Sequence, residues 1–211
     1  MCATVRRGTV VAAIVVSLLS PAAPVAAEAA GPPDLAALFP DPSTDYVHHR
    51  WTVQDGLPVN GLTGVVQTTD GWLWIGSFDG LLRFDGHQFL RFDTQAAPAL
   101  RSNRIVELLA TEDGKLWILT EQGHLTRHDG RCFHAVEPAG AAVLVGRQLA
   151  LGSDRTLWVR AAKGLYRLQG DRLVEGRAEL MDVPLQAIGP GLEGRLWLAT
   201  RDGRLAVLDG E

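Results

Sequence analysis

The chain has 211 residues, a formal net charge of −4, 46% hydrophobic content and two cysteines. A mildly acidic, evenly mixed composition excludes the basic field that binds nucleic acid or anionic membranes, so neither partner is expected. Cys2 and Cys132 are the only thiols, and an export signal over residues 1–27 would remove Cys2, so no intrachain disulfide is expected in the mature chain.

Arg6 and Arg7 precede an uncharged apolar stretch, Thr9 to Leu19, and the small-residue zone Pro21 to Ala30 follows. That order of basic, apolar and small-residue regions reads as a signal peptide over residues 1–27, cleaved after Ala27. The apolar stretch is short for a spanning helix, and Pro21 and Pro24 break its extension. Removing residues 1–27 takes away two arginines and no acid. Residues 28–43, rich in Ala and Pro, read as a linker without a core. Tyr46 to Val53 reads as a strand that precedes the first complete unit.

From there to Glu211 the chain repeats. Gly71-Trp72-Leu73-Trp74, Gly114-Lys115-Leu116-Trp117, Arg155-Thr156-Leu157-Trp158 and Gly194-Arg195-Leu196-Trp197 fall in register, their last tryptophans 43, 41 and 39 residues apart. Gly80, Gly123, Gly164 and Gly203 each follow six positions later. A second glycine comes next: Gly86, Gly130, Gly170 and Gly210. A period near 40 marks units that bury their apolar faces only by stacking. The second copy shows the plan: apolar runs Ile105 to Thr111, Lys115 to Thr120, His124 to Asp129 and Arg131 to Val136, with Gly-marked turns between them. Short Val-, Ile-, Leu- and Trp-rich runs with Asp-Gly turns predict antiparallel strands. Four such strands per unit predict an all-β chain of β-propeller blades, in repeats 59–101, 102–144, 145–182 and 183–211. Trp74, Trp117, Trp158 and Trp197 are expected to cover the neighbouring blade, and Trp72 to point to the other face and be partly exposed.

Trp51 to Asn60 (WTVQDGLPVN), Gln67 to Ser77 (QTTDGWLWIGS) and Phe78 to Gly86 (FDGLLRFDG) resemble the opening and the near-consensus repeat of the two-component-regulator propeller family. The resemblance spans residues 47–210, strong in the first copy and weaker in the third and fourth, where Ser153-Asp154-Arg155 and Pro190 to Gly194 replace the Asp-Gly turn. It implies an extracytoplasmic, ligand-sensing input region, periplasmic and attached to the inner membrane in an intact parent. A membrane span and a histidine kinase or diguanylate cyclase would follow in that parent, where a homodimer is also expected. It implies a seven-bladed ring as well, of which about four blades are present here, so the chain reads as an N-terminal fragment. The Asp-x-x-Gly-x-Leu-Trp repeats are also similar to those of streptogramin-type lyases, which makes a secreted propeller enzyme the alternative, with a non-catalytic interaction propeller as a third reading.

In each blade the turn between the second and third strands and the link between blades lie on one end, which is the expected place for a small-molecule or glycan ligand. Arg104, Glu121, Lys163 and Arg201 are the polar candidates there. No catalytic residue, cofactor or metal site is expected. His48 and His49 alternate across a strand, and His124 and His128 stand about 13 Å apart on one, too far to share an ion. No nucleophile elbow or phosphate-binding glycine loop occurs.

Overall fold

The computed structural model describes residues 49–59, 61–138, 144–191 and 195–208, with the side chains of 145–148 left aside. The predicted signal peptide 1–27 and linker 28–43 lie outside these, as do His48, Asn60, Gly194 and Gly210. Fifteen strands follow in chain order: β1 Leu62–Gln67, β2 Leu73–Ser77, β3 Gly80–Phe84, β4 Phe89–Phe92, β5 Ile105–Ala110, β6 Leu116–Thr120, β7 Leu125–His128, β8 Phe133–Pro138, β9 Leu144–Leu151, β10 Leu157–Ala161, β11 Leu165–Gln169, β12 Arg172–Glu175, β13 Leu185–Pro190, β14 Leu196–Thr200 and β15 Leu205–Leu208. They form all-β propeller blades: β1–β4, β5–β8 and β9–β12 are antiparallel four-stranded meanders, and β13–β15 supply three strands of a fourth. The only helical pieces among the described residues are single 3-10 turns, at Val53–Asp55, Pro98–Leu100 and Ala178–Leu180. No described helix is long and apolar enough to cross a membrane.

The turns between the first two strands are built alike. Gly71 N–H donates to the Thr68 carbonyl at 2.9 Å, Gly114 to Thr111 at 2.9 Å and Arg155 to Gly152 at 3.0 Å. All three closing residues have positive φ: 92° and 80° at the glycines and 62° at Arg155. The third turn therefore keeps its shape without glycine, at the cost of holding an L-side chain in the left-handed region.

Three apolar clusters join successive blades. Trp74 and Leu81 pack with Ile105, Leu108, Leu116 and Ile118. Trp117 and Leu119 pack with Leu157, Val159 and Ala161. Trp158 and Leu165 pack with Leu185, Leu196 and Leu198. Alternation along β2, β6 and β10 sends each tryptophan toward the next blade and the residues on either side of it toward the previous one.

Three expectations need correction. Trp74, Trp117 and Trp158 are 1%, 3% and 5% exposed, whereas Trp197 is 48% exposed, because no described blade packs on its side of β14. Trp72 is partly exposed as expected, but it joins the cluster around Trp74 instead of pointing away, since residues two apart on an extended chain share a face. The segment from His49 to Thr52 is not a strand, and Val53–Asp55 turns. There Thr52 N–H donates to Asp55 Oδ2 at 2.8 Å and Gln54 N–H donates to Thr52 Oγ1 at 3.2 Å. Local side chains thus satisfy the backbone groups that a ladder would have used.

The sequence also gave no sign of one pairing. The outer strands β8 and β12 run parallel through Glu137–Arg172 and Pro138–Leu173, so that the second and third blades share one eight-stranded sheet.

Candidate functional site

The end that carries the β2–β3-type turns is assembled by a repeated backbone bond. Glu121 N–H donates to the Arg104 carbonyl at 2.8 Å, and Arg201 N–H donates to the Pro184 carbonyl at 2.9 Å. In both cases the residue after a blade's second strand is tied to the residue before its innermost strand. Phe78, Glu121, Ala162 and Arg201 occupy that equivalent position in the four blades.

Arg104 and Glu121 are brought together, as expected from a shared loop face. The guanidinium of Arg104 binds both carboxylate oxygens of Glu121, one of them through Nη2 to Oε1 at 3.3 Å. Its carbon lies 4.4 Å from the ring centre of Phe78, from the preceding blade. Hydrogen bonding to Arg104 is the main cause that lowers the carboxyl pKa of Glu121, and hydrogen bonding to Glu121 raises that of Arg104. The pair is exposed, and Phe78 is 43% exposed. An aromatic face, a planar cation and a carboxylate therefore meet at one solvent-open point where two blades adjoin. Such a set can stack on an apolar sugar face and exchange hydrogen bonds with hydroxyls or a carboxylate.

Lys163 and Arg201 are exposed on their own turns, and among the described residues neither forms an ion pair with Arg104 or Glu121. Gly123 and Gly164 hold these turns close to the next link. A Cβ on Gly123 would strike the Leu144 carbonyl, and one on Gly164 would come within 2.6 Å of Met181 Cα. Both adopt positive φ, 79° and 71°. Gly80 and Gly203 serve the corresponding turns with φ of 134° and 84°.

Two charged residues inside strands were not anticipated. Arg160 is buried, and its Nη1 donates to the Leu185 carbonyl at 3.0 Å in the next blade. Burial pushes its pKa down, and the nearby Arg201 charge adds to this. Glu107 Oε2 accepts from Leu149 N–H at 3.0 Å, again between blades. The available signal was a charge at a position that carries Gly76, Leu119 and Ala199 in the other copies of Arg160, and one inside the apolar run Ile105–Ala110 for Glu107.

One cleft lies on the opposite end. It holds about 770 Å³ between the second and third blades, with Trp117, Leu151 and Leu168 beneath and Thr111, Asp113, Lys115 and Asp154 at the rim. Its polar groups are engaged with one another: Lys115 Nζ donates to Asp113 Oδ2 at 2.6 Å, Thr156 Oγ1 to Asp154 Oδ2 at 2.5 Å, and Arg155 pairs with Glu112 at 2.8 Å. It is a solvent wedge between diverging blades with no polar group left pointing inward among those named. Among the described residues no three His, Cys, Asp or Glu side chains converge as metal ligands would.

No protein-family model matches the chain, and no curated protein matches it. Solved structures do. The extracellular domain of the hybrid two component system BT3049 from B. thetaiotaomicron superposes with a TM-score of 0.60 at 17% identity, over 76% of this chain and 25% of that one. The extracellular domain of the one component system BT4673 from the same organism gives 0.58 at 19% identity, over 81% of this chain and 22% of that one. Virginiamycin B lyase from Staphylococcus aureus, in a catalytically inactive form with quinupristin, gives 0.55 at 17% identity, over 73% of this chain and 58% of that one. The chain thus spans about a quarter of the two sensor domains and somewhat over half of the lyase. These likenesses establish the propeller fold.

Proposed function

We propose that this chain is part of the extracytoplasmic ligand-sensing input region of a transmembrane signalling protein, of the two-component histidine kinase or diguanylate cyclase type, and that it performs no catalysis itself. The observation that carries the reading is the cluster of Phe78, Arg104 and Glu121, exposed where two blades meet on the end opposite the tight turns. An aromatic plate beside a paired cation and carboxylate suits a sugar, above all an acidic one, for which Arg104 supplies the partner and Phe78 the stacking face. Arg201 and Lys163, on neighbouring turns of the same end, would extend contact along an oligosaccharide. The propeller likeness to two extracellular domains of signalling systems supports the same reading, and it agrees with the export signal expected over residues 1–27. The lyase likeness keeps a secreted enzyme as the second reading, one that requires turnover.

The test is calorimetric titration of the full chain with neutral and uronate-containing oligosaccharides, followed over hours for product. Saturable binding lost in Arg104→Ala and Phe78→Ala variants of unchanged melting supports the proposal. Equal binding by the variants, or no binding across the panel, refutes the site; product formation favours the enzyme.

A further inference from the structure

The junctions between complete blades are not filled alike. Between the first and second blades the tight-turn end is packed with rings. Trp72 joins the cluster around Trp74, and the guanidinium carbon of Arg83 lies 4.2 Å from the Trp72 ring centre. From the second blade His128 and Phe133 place their rings 4.9 and 6.4 Å from that of Trp74. The two tight turns also come close, since a Cβ on Gly114 would lie 3.0 Å from Thr69 Oγ1.

Between the second and third blades the equivalent positions carry smaller or diverted side chains. Register with Trp117 puts Lys115 where the first blade has Trp72, and its Nζ is drawn off to Asp113. Cross-strand register puts Leu168 and Leu173 where the second blade has His128 and Phe133. Tyr166, which replaces Thr126, packs in this junction but does not line its open end. The cleft of about 770 Å³ described above is the volume those rings fill in the first junction. Both blades that form it are four-stranded and each has a described blade on its other side, so the cleft is a property of this junction.

We propose that this cleft binds a small planar aromatic molecule that carries a basic amine. Its volume falls within the range of about 300–1,000 Å³ that small-molecule sites occupy. The floor of Trp117, Leu151 and Leu168 is apolar, and the rim groups are bonded to one another. Water inside finds few partners, and replacing loosely held water by an apolar group is favourable. Trp72 shows the size of ring that this position holds between two blades. The rim sets the sign of the charge: Glu112, Asp113 and Asp154 outnumber Lys115 and Arg155 by one. A carboxylate has about four acceptor sites, more than these acids use, so an ammonium group finds partners where a second carboxylate is repelled. The site lies on the end opposite Phe78, Arg104 and Glu121, and failure of sugar binding there leaves this proposal standing.

Calorimetric titration of the full chain with tryptamine, indole-3-acetate and ethylamine tests it. Tryptamine should bind saturably, and indole-3-acetate more weakly by about threefold or more, as the loss of one exposed charge pair implies. Ethylamine, an amine without a ring, should not bind. Lys115→Trp gives the second blade the residue that the first already carries, and Leu168→Phe fills the cleft from the third blade. Each should abolish tryptamine binding while circular dichroism and melting show a folded chain, so either variant decides if the other fails to fold. Absence of saturable tryptamine binding would overturn the proposal, as would undiminished binding by a folded variant. Equal affinity for indole-3-acetate, or binding of ethylamine, would overturn the ligand class.

Discussion

Replacing Trp74 and Trp197 by alanine, one at a time, separates the role of the repeat motif from the role of its neighbour. Both occupy the same position in the same Leu-Trp pair, but Trp74 is 1% exposed and Trp197 48% exposed. Truncating a fully buried tryptophan costs about 3–5 kcal/mol, part of it transfer and part the cavity left behind. Trp74 also donates its indole N–H to Thr68 Oγ1 at 3.1 Å in a buried setting, and its ring lies 4.9 Å from His128 and 5.7 Å from Phe92. Its loss should therefore reach the upper part of that range. For Trp197 roughly half of the ring is already in water and no enclosed cavity forms, so about 1–2 kcal/mol is expected. With a urea slope of about 1–3 kcal/mol per molar, the Trp74 variant should unfold at a midpoint lower than the Trp197 variant by about 1 M or more. The assay is equilibrium urea unfolding followed by far-ultraviolet circular dichroism, at a dilution where sedimentation shows single copies. Trp117→Ala and Trp158→Ala, at 3% and 5% exposure, should side with Trp74. Equal losses at Trp74 and Trp197 would show that burial against the next blade does not set the worth of these tryptophans.

Two further outcomes follow from the same physics. Arg155→Gly should leave stability unchanged or raise it by about 0.5–1 kcal/mol, because it relieves a left-handed L-residue that costs about 1–2 kcal/mol, offset in part by glycine's entropy in the unfolded chain. The Glu112 pair it gives up is exposed on both sides and worth little; a loss above about 1 kcal/mol in urea unfolding would contradict this. His128 is packed against Trp74 and Phe133, at 4.9 and 4.5 Å, and its Nδ1 accepts from Gly130 N–H at 3.3 Å. Burial depresses its pKa below 6.5; the charges facing it from neighbouring elements are Asp129 and Asp70, which oppose that shift, and Arg83 and His134, which add to it. The folded state therefore binds fewer protons than the unfolded one, so the contribution of His128 is complete above pH ~6.5 and is lost as pH falls toward the folded pKa. Melting temperature should drop more between pH 7 and 5 for the native chain than for His128→Phe, and parallel curves would remove His128 from the explanation.

What could be read from the sequence was what the chain decides locally. Asp70-Gly71 and Asp113-Gly114 announce their turns because few residues tolerate positive φ, and even Arg155 was placed correctly in a turn by its register with them. Strand limits came within a residue or two for the same reason: β6 and β7 lie inside the predicted runs Lys115 to Thr120 and His124 to Asp129. Positions fixed by distant partners were harder. The exposure of Trp197 depends on a blade contact that no motif encodes, and the parallel pairing of β8 with β12 joins residues 35 positions apart through two described residue pairs. Arg104 and Glu121 read as loop charges in the sequence, but the stacking of Arg104 on Phe78 depends on how one blade's turn meets the next blade's link.

The repeat itself nevertheless contained that information. A bond that ties Glu121 to Arg104 recurs between Arg201 and Pro184, so one blade's geometry predicts the next. Each inner tryptophan likewise shows which four positions of the next blade receive it. In a stacked fold the unit of inference is therefore the junction and not the blade: departures such as Arg160, a buried charge where its counterparts carry Gly76, Leu119 and Ala199, are the positions at which a junction has been altered. Arg160 answers to the Leu185 carbonyl across one such junction and lies close enough to Arg201 for the two charges to repel.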